Sequence, residues 1–184
     1  MFKNMRKLIY TILILIYCHS VFSEASDPLF EDLDGQKHSL NDYIGKGKWV
    51  VVNVWATACP YCRTELDTLI DFHDQHHDKD AIVIGLTLDW PTFNFPDKEA
   101  LKNFALDYFI EYPLFMVDAE LGSKVIGKPV NMIPLTFFYN PDGDLVLRLN
   151  GVVTDKQLET AIKDDRIRYH VEWAEEVPPE FKPE

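Results

Sequence analysis

The sequence predicts an α/β domain built on a central mixed β-sheet with helices on its faces. Two apolar runs rich in β-branched residues, 48–55 and 81–89, are typical of buried strands. Between them, at about 60–75, apolar residues recur at helical spacing. A strand pair around the turn Asn140–Gly143 and a last helix follow. Strand, helix and strand followed by a hairpin and a helix indicate this fold class.

The remaining elements follow from local patterns. The stretch "LFEDLDGQKHSL" carries an Asp-Gly turn and predicts an N-terminal β-hairpin. Residues 97–109 place apolar side chains on one helical face, 112–118 predict a brief strand, and 119–126 predict a short helix. These form a βα insertion in the middle of the domain. Thr154 is expected to cap the final helix, which runs to about Lys163.

Residues 1–23 have the pattern of a secretory signal sequence. Three basic residues precede the apolar run 8–17, and Val21-Phe22-Ser23 resembles a cleavage site. The run is shorter than the roughly 20 residues of a membrane span. Two alternatives are an uncleaved N-terminal anchor and a lipid attached to Cys18. All three interpretations predict an exported chain, either periplasmic or anchored facing the periplasm.

Removal of 1–23 leaves 161 residues, enough for one domain with a full core. We expect this domain over 24–164 and an acidic, Pro-rich tail over 165–184. The processed chain keeps 15 Lys and Arg against 30 Asp and Glu, a net charge of −15. This charge argues against binding nucleic acid, whose phosphates require basic residues. It also disfavours anionic membrane surfaces, so membrane contact is expected only if the N-terminal segment stays attached.

Two cysteines stand three apart in "WATACPYCRTEL", and they are the only cysteines after residue 23. A bridge between Cys59 and Cys62 would close a very short loop and so remove little unfolded-state entropy. In an oxidising compartment, this spacing therefore indicates a disulfide that opens and closes during function.

The local pattern places Cys59 where a strand gives way to a helix, and Pro60 suits the first helical position. Unpaired N–H groups and the helix dipole at such a position favour a thiolate. The thiolate is the reactive form of cysteine. Cys62 lies one turn further on, close enough to bond Cys59 and more shielded.

Other uses of a cysteine pair fit less well. Covalent haem attachment requires a histidine after the second cysteine, where Arg63 stands. Zinc usually takes four ligands, and the sequence has no second cysteine pair. His73, His76 and His77 are interpreted as a helix end running into a polar loop. Copper held by the two thiols and a distant histidine stays open, and no cofactor is predicted. Thr57, two residues before Cys59, suggests a peroxidatic cysteine, which would leave Cys62 unexplained.

The chain resembles the exported thiol–disulfide oxidoreductases of the thioredoxin-like fold, the TlpA/ResA-like branch of the redoxins. The resemblance covers about residues 29–163. It rests on two stretches in the same order, "LDGQKHSLNDYIGKGKWVVVNVWATACPYCRTEL" and "NMIPLTFFYNPDGDLVLRLNG". The first resembles the family's hairpin, strand and active-site helix, and the second its later signature.

The resemblance implies roles for individual residues. Cys59 would attack and Cys62 would resolve, while Glu65 matches an acid that handles protons. Pro134 matches a cis-proline that lies beside the cysteines and helps to hold extended substrate. Four more residues complete the expected substrate-binding set: Ile133, Trp55, Pro60 and Tyr61.

Three departures affect this reading. Asn53 stands where thioredoxins carry a buried Asp, which directs attention to Glu65 as the proton acceptor. Ala58 replaces the Trp that usually precedes the first cysteine, which leaves the site more open. The dipeptide Pro60-Tyr61 is typical of glutaredoxins, which lack the export signal, the hairpin and the insertion.

The predicted activity is exchange between thiols and disulfides of exported proteins. The resemblance favours reduction, including that of apocytochromes c, and implies a membrane thiol donor that recharges the site. Alternatives are an exported disulfide oxidase or isomerase, a copper chaperone that uses the same thiols, and a binding module without turnover.

Overall fold

A computed structural model describes residues 27–89 and 98–164. The signal segment 1–23, the aromatic loop predicted at 90–96 and the tail 165–184 lie outside the described residues. No helix within the described ranges is long and apolar enough to cross a membrane.

The described chain forms seven strands, five α-helices and one 3₁₀ turn. The strands are β1 Leu29–Asp32, β2 Lys37–Ser39, β3 Trp49–Trp55, β4 Ala81–Thr87, β5 Leu114–Met116, β6 Leu135–Tyr139 and β7 Leu145–Asn150. The helices are α1 Pro60–Thr64, α2 Leu66–His76, α3 Lys98–Asp107, α4 Ala119–Ile126 and α5 Asp155–Lys163. The 3₁₀ turn covers Leu40–Asp42.

All seven strands join one mixed sheet in the order β2-β1-β5-β4-β3-β6-β7. The pairs β3–β4 and β4–β5 are parallel, and the other pairs are antiparallel. All seven residues of β3 are buried, as expected of a strand covered on both faces. The predicted α/β class, the mixed sheet and the N-terminal hairpin are confirmed.

Alternation along β3 divides the core into two layers. Trp49, Val51 and Trp55 belong to one layer, together with apolar residues of α2, α3 and α5. Val50, Val52 and Val54 belong to the other, which α4 covers. The helices thus pack on both faces of the sheet, and the carboxyl ends of β3 and β4 come to one edge.

Two predicted helices differ from the observed ones. The helix predicted over 60–75 is divided at Glu65, whose φ of −103° and ψ of −4° separate α1 from α2. The helix predicted over 97–109 is described from Lys98 and ends at Asp107. Phe109 has a φ of +54°, a left-handed conformation that does not continue a right-handed helix.

Candidate functional site

Cys59 and Cys62 form a disulfide at the carboxyl end of β3, with their Cα atoms 5.3 Å apart. The strand ends at Trp55, and a turn closes when the Cys59 N–H donates to the Ala56 carbonyl at 3.1 Å. Cys59 is the N-cap of α1, and its sulfur accepts from the Cys62 N–H at 3.2 Å. The sequence prediction of a cysteine at a strand-to-helix junction, followed by Pro60 at the start of the helix, is confirmed.

The two sulfurs differ in exposure. Cys62 has no exposed surface, whereas Cys59 is half-buried. A partner disulfide can therefore approach Cys59 more readily than Cys62. The N–H of Cys62 also points at the Cys59 sulfur, and such a donor stabilises a thiolate once the disulfide is reduced.

Glu65 is completely buried. Its Oε1 accepts from Asn53 Nδ2 at 2.8 Å, and its Oε2 accepts from the Val153 N–H at 2.7 Å. Asn53 is itself buried and also donates to Thr136 Oγ1 at 3.1 Å. The break between α1 and α2 thus falls at a residue whose side chain joins β3 to the loop before α5.

Burial raises the pKa of Glu65 to about 7, although the bonds from Val153 and Asn53 act in the opposite direction. Desolvation disfavours the charged carboxylate more than two neutral donors can offset. A carboxyl with a pKa near 7 exchanges protons readily at neutral pH. The Glu65 carboxyl therefore has a pKa suited to donating and accepting protons at neutral pH.

Three buried polar atoms near this carboxyl have no hydrogen-bond partner among the described residues: Asn53 Oδ1, Trp55 Nε1 and the Tyr112 hydroxyl. Burial, together with the charge of Glu65, raises the pKa of Tyr112. Gly85 pairs with Asn53 across the sheet, and a Cβ at Gly85 would lie 3.0 Å from Trp55 Nε1 and 3.1 Å from Tyr112 Cε2. The interior next to Glu65 is therefore polar and tightly packed.

Pro134 follows a cis peptide bond from Ile133. Leu135 pairs with Val54, near the carboxyl end of β3. Pro134 therefore lies at the edge of the sheet where the Cys59 turn begins. The Pro134 carbonyl accepts from the Gly151 N–H at 3.0 Å. Pro134 is buried, whereas Ile133 is half-buried.

The other predicted substrate-binding residues divide into two groups. Pro60 is exposed, and Tyr61 is 71% exposed, so a partner can reach both. Trp55 has no exposed surface and packs on Phe104 with the ring centroids 5.7 Å apart. An indole on the inner face of a central strand belongs to the core, and the assignment of Trp55 to the substrate-binding set stays a prediction.

The predicted helix-end histidines make specific contacts. His76 lies between Asp80 and Glu159, at 2.7 and 2.9 Å. The Nδ1 of buried His73 accepts from the Val83 N–H at 3.1 Å. Within the part of the chain that the structure describes, no group of three or more His, Cys, Asp or Glu side chains is arranged to hold a metal ion.

Sequence reasoning did not identify Asp89 or Val153 as parts of this region. Asp89 is fully buried and bonds to Thr57, two residues before Cys59. One signal was present, because Asp89 is the only charged residue in the apolar run 81–89. Val153 contributes a backbone N–H, and a sequence pattern carries no information about such a long-range contact.

Comparison with protein families identifies one that covers most of the chain. The AhpC/TSA family model matches residues 21–148. This range includes β1–β6, both cysteines, Glu65 and the cis-proline.

Individual relatives agree with this match. The chain is 30% identical to a thiol-disulfide oxidoreductase ResA of Bacillus cereus (strain ZK / E33L) over 175 residues, 85% of this chain and 95% of the relative. It is 32% identical to the ResA of Bacillus anthracis over 141 residues, 76% of this chain and 75% of the relative.

Solved structures share the fold. A DsbF homologue from Corynebacterium diphtheriae superposes with a TM-score of 0.60 at 26% identity, covering 76% of this chain and 86% of its own. A secreted thiol-disulfide isomerase from Corynebacterium glutamicum superposes with a TM-score of 0.61 at 21% identity, covering 72% and 78%. The second likeness is evidence for the fold alone.

The burial of Glu65 predicts a pH-dependent stability. Its folded pKa of about 7 lies above the ordinary value of 4.5, so between these values the folded state holds a proton that the unfolded state releases. Raising the pH through this window should therefore destabilise the folded chain, by about 3 kcal/mol in total for this group. Urea unfolding of the oxidised protein at several pH values from 4 to 8 measures this loss.

Glu65→Gln, which cannot titrate, is the comparison for that experiment. Its free energy of unfolding should rise relative to the parent protein as the pH increases from 4.5 to 7, and the difference should then become constant. Glu120→Gln, at an exposed carboxylate of α4, should follow the parent protein throughout. Parallel curves for the parent protein and Glu65→Gln would show that Glu65 is not protonated in the folded state at pH 6.

Proposed function

This chain belongs to the AhpC/TSA family, within its TlpA/ResA-like thiol–disulfide oxidoreductases, and on that premise we propose that it reduces disulfide bonds of exported proteins. The observation that carries the proposal is the asymmetric pair, with half-buried Cys59 at the N-terminus of α1 bonded to fully buried Cys62. The Cys59 sulfur can form a mixed disulfide with the partner protein, and the Cys62 sulfur can then release the partner by bonding to Cys59 again.

The proposed cycle has two exchange steps. The Cys59 thiolate attacks one sulfur of the partner disulfide, that S–S bond breaks, and the released partner thiolate takes a proton. Cys62 then loses its proton and attacks the Cys59 sulfur, which releases the second partner thiol. The partner gains two electrons and two protons, and Cys59 and Cys62 become a disulfide. A separate dithiol donor must reduce this disulfide again.

Glu65 is the proposed proton acceptor for Cys62. The Glu65 N–H donates to the Cys62 carbonyl at 3.3 Å, so the two residues are in backbone contact across one helical turn. Its raised pKa suits proton exchange at neutral pH. Asn53, at the position of the acid in thioredoxins, holds Glu65 through its amide and cannot titrate.

An apolar rim around Cys59 supports a polypeptide substrate. Three of the six exposed large hydrophobic side chains in the described chain come from segments at this edge: Tyr61, Met132 and Val152. Tyr61 lies between the cysteines, Met132 precedes the cis-proline loop, and Val152 follows Gly151, which bonds to Pro134. The segments 56–64 and 129–134 contain no Asp or Glu, although the whole chain has 30. This rim, with Ile133 and Pro60, suits an extended segment with apolar residues beside its disulfide.

Export is part of the proposal and rests on the sequence of residues 1–23, with 24–164 as the folded domain. Three basic residues followed by the apolar run 8–17 support it. We further propose apocytochromes c as a substrate class and a membrane thiol protein as the donor. The opposite direction, oxidation or isomerisation, uses the same two sulfurs.

The roles of the two cysteines can be tested by trapping. Cys62→Ser, mixed with a model protein disulfide, should accumulate a mixed disulfide through Cys59, because the resolving sulfur is gone. Cys59→Ser should accumulate none under the same conditions, because Cys62 is buried. Non-reducing electrophoresis and peptide mass analysis identify the linkage. Trapping through Cys62 would reverse the assignment.

The role of Glu65 can be tested by the pH dependence of the exchange rate. The parent protein should show an inflection near pH 7, and Glu65→Gln should lose it and react more slowly, on the order of 10²-fold. Rates with a model disulfide from pH 5 to 9 measure both effects, and Glu120→Gln is the matched control. If Glu65→Gln retains the inflection and the rate, solvent carries the proton.

The direction of electron flow can be tested by the equilibrium potential of the Cys59–Cys62 couple against glutathione. A reductant of exported proteins should be more reducing than the glutathione couple, near the roughly −270 mV of thioredoxin. A potential near the roughly −120 mV of DsbA would instead support the oxidase alternative. Thiol trapping across a series of glutathione ratios gives the value.

A further inference from the structure

Asp89 is a buried carboxylate directed at the segment that precedes Cys59. Its Oδ1 and Oδ2 accept from the Thr57 N–H at 2.9 and 3.1 Å. The Thr57 hydroxyl donates to Oδ1 at 2.7 Å, and the Thr87 hydroxyl donates to Oδ2. Asp89 and Thr87 have no exposed surface, and Thr57 is 5% exposed.

All these donors are neutral. Within residues 27–89 and 98–164, no Lys, Arg or His forms an ion pair with Asp89. Burying a carboxylate without a cation is costly, even when hydrogen bonds satisfy it. The pairing of β3 with β4 does not depend on Asp89. Backbone hydrogen bonds pair the two strands up to Trp55 and Thr87, and the Leu88 N–H donates to the Trp55 carbonyl at 2.9 Å.

The residue that Asp89 holds, Thr57, lies close to Cys59 in the chain. Thr57 lies inside the turn that the Cys59 N–H closes on the Ala56 carbonyl. Only Ala58 lies between Thr57 and Cys59, so their Cα atoms are at most about 7 Å apart. The extended backbone of Cys59, with φ −85° and ψ 111°, directs its sulfur at the Cys62 N–H. A change in the turn would move that sulfur out of its capping position.

We propose that Asp89 is a positioning residue of the redox site, which fixes the turn at Thr57 and thereby holds the Cys59 sulfur at the N-terminus of α1. This inference rests on the proposed function, because it assigns a reactive role to Cys59. It adds that the reactivity of Cys59 depends on a carboxylate from the segment that follows β4 as well as on the motif between the cysteines.

The test is the alkylation of reduced protein by iodoacetamide between pH 5 and 9, with the Cys59 peptide followed by mass analysis. We call the hydrogen bonds between Asp89 and Thr57 the clamp. Asp89→Asn and Thr57→Val both weaken the clamp, and only Asp89→Asn also removes a charge. Thr57→Ser keeps the hydroxyl. Asp42→Asn is the matched control, because Asp42 accepts from the Ser39 N–H at 2.7 Å and belongs to the 3₁₀ turn that precedes the amino end of β3, opposite to the Cys59 turn.

Loss of the capping geometry disfavours the thiolate, so Asp89→Asn and Thr57→Val should both move the alkylation midpoint of Cys59 upward. We expect about half a pH unit, which corresponds to roughly threefold less thiolate below the midpoint. Thr57→Ser should restore the parent profile. Asp42→Asn should keep the parent profile.

Two results would overturn the inference. Parent-like profiles for both Asp89→Asn and Thr57→Val would show that the clamp does not act on Cys59. A downward shift in Asp89→Asn with no shift in Thr57→Val would show an effect of charge alone. If Asp89→Asn does not fold, the comparison of Thr57→Val with Thr57→Ser decides. A parent protein that reduces no disulfide would refute the proposed function, while the alkylation profiles would still test the clamp.

Discussion

The parallel pairing of β3 with β4 is the constraint on which the site depends. Because Trp55 pairs with Thr87, both strands end at the same edge of the sheet, and the residues that follow them meet there. Cys59 comes from the turn after β3, and Asp89 comes two residues after the end of β4. The antiparallel pairing of β6 with β3 brings the cis-proline to the same edge. One pair of strands in one register thus assembles chemical groups that are far apart in the sequence.

The site contains two buried carboxylates in different surroundings. Glu65 receives one hydrogen bond on each oxygen, and its burial keeps it protonated up to about neutral pH. Asp89 receives bonds from a backbone N–H and two hydroxyls, a set of donors that satisfies an anion. The number and direction of nearby donors therefore distinguish an acid suited to moving protons from one suited to holding a backbone.

Much of this arrangement could be predicted from the sequence, for identifiable reasons. The strands β3 and β4 are nearly continuous apolar runs, and the hairpin turns carry Asp-Gly and Asn-Pro-Asp-Gly, so local composition indicated the sheet and its ends. The Cys59–Cys62 spacing placed the reactive pair. The break at Glu65 had no such signal, because the residues on both sides of it continue the helical spacing. The burial of Glu65 depends on Val153, 88 residues later, which local patterns do not report.

The side chains of Pro60 and Tyr61 are both exposed, although they stand between the cysteines. The groups that bond to the site from inside belong to β3, β4 and the loop before α5. The dipeptide Pro60-Tyr61 and the buried hydrogen bonds are therefore structurally independent, because a different pair of residues could occupy these two positions of α1 without disturbing those bonds. In evolutionary terms, this architecture allows substitutions between the cysteines to change the surface that a partner meets while the buried hydrogen bonds stay in place.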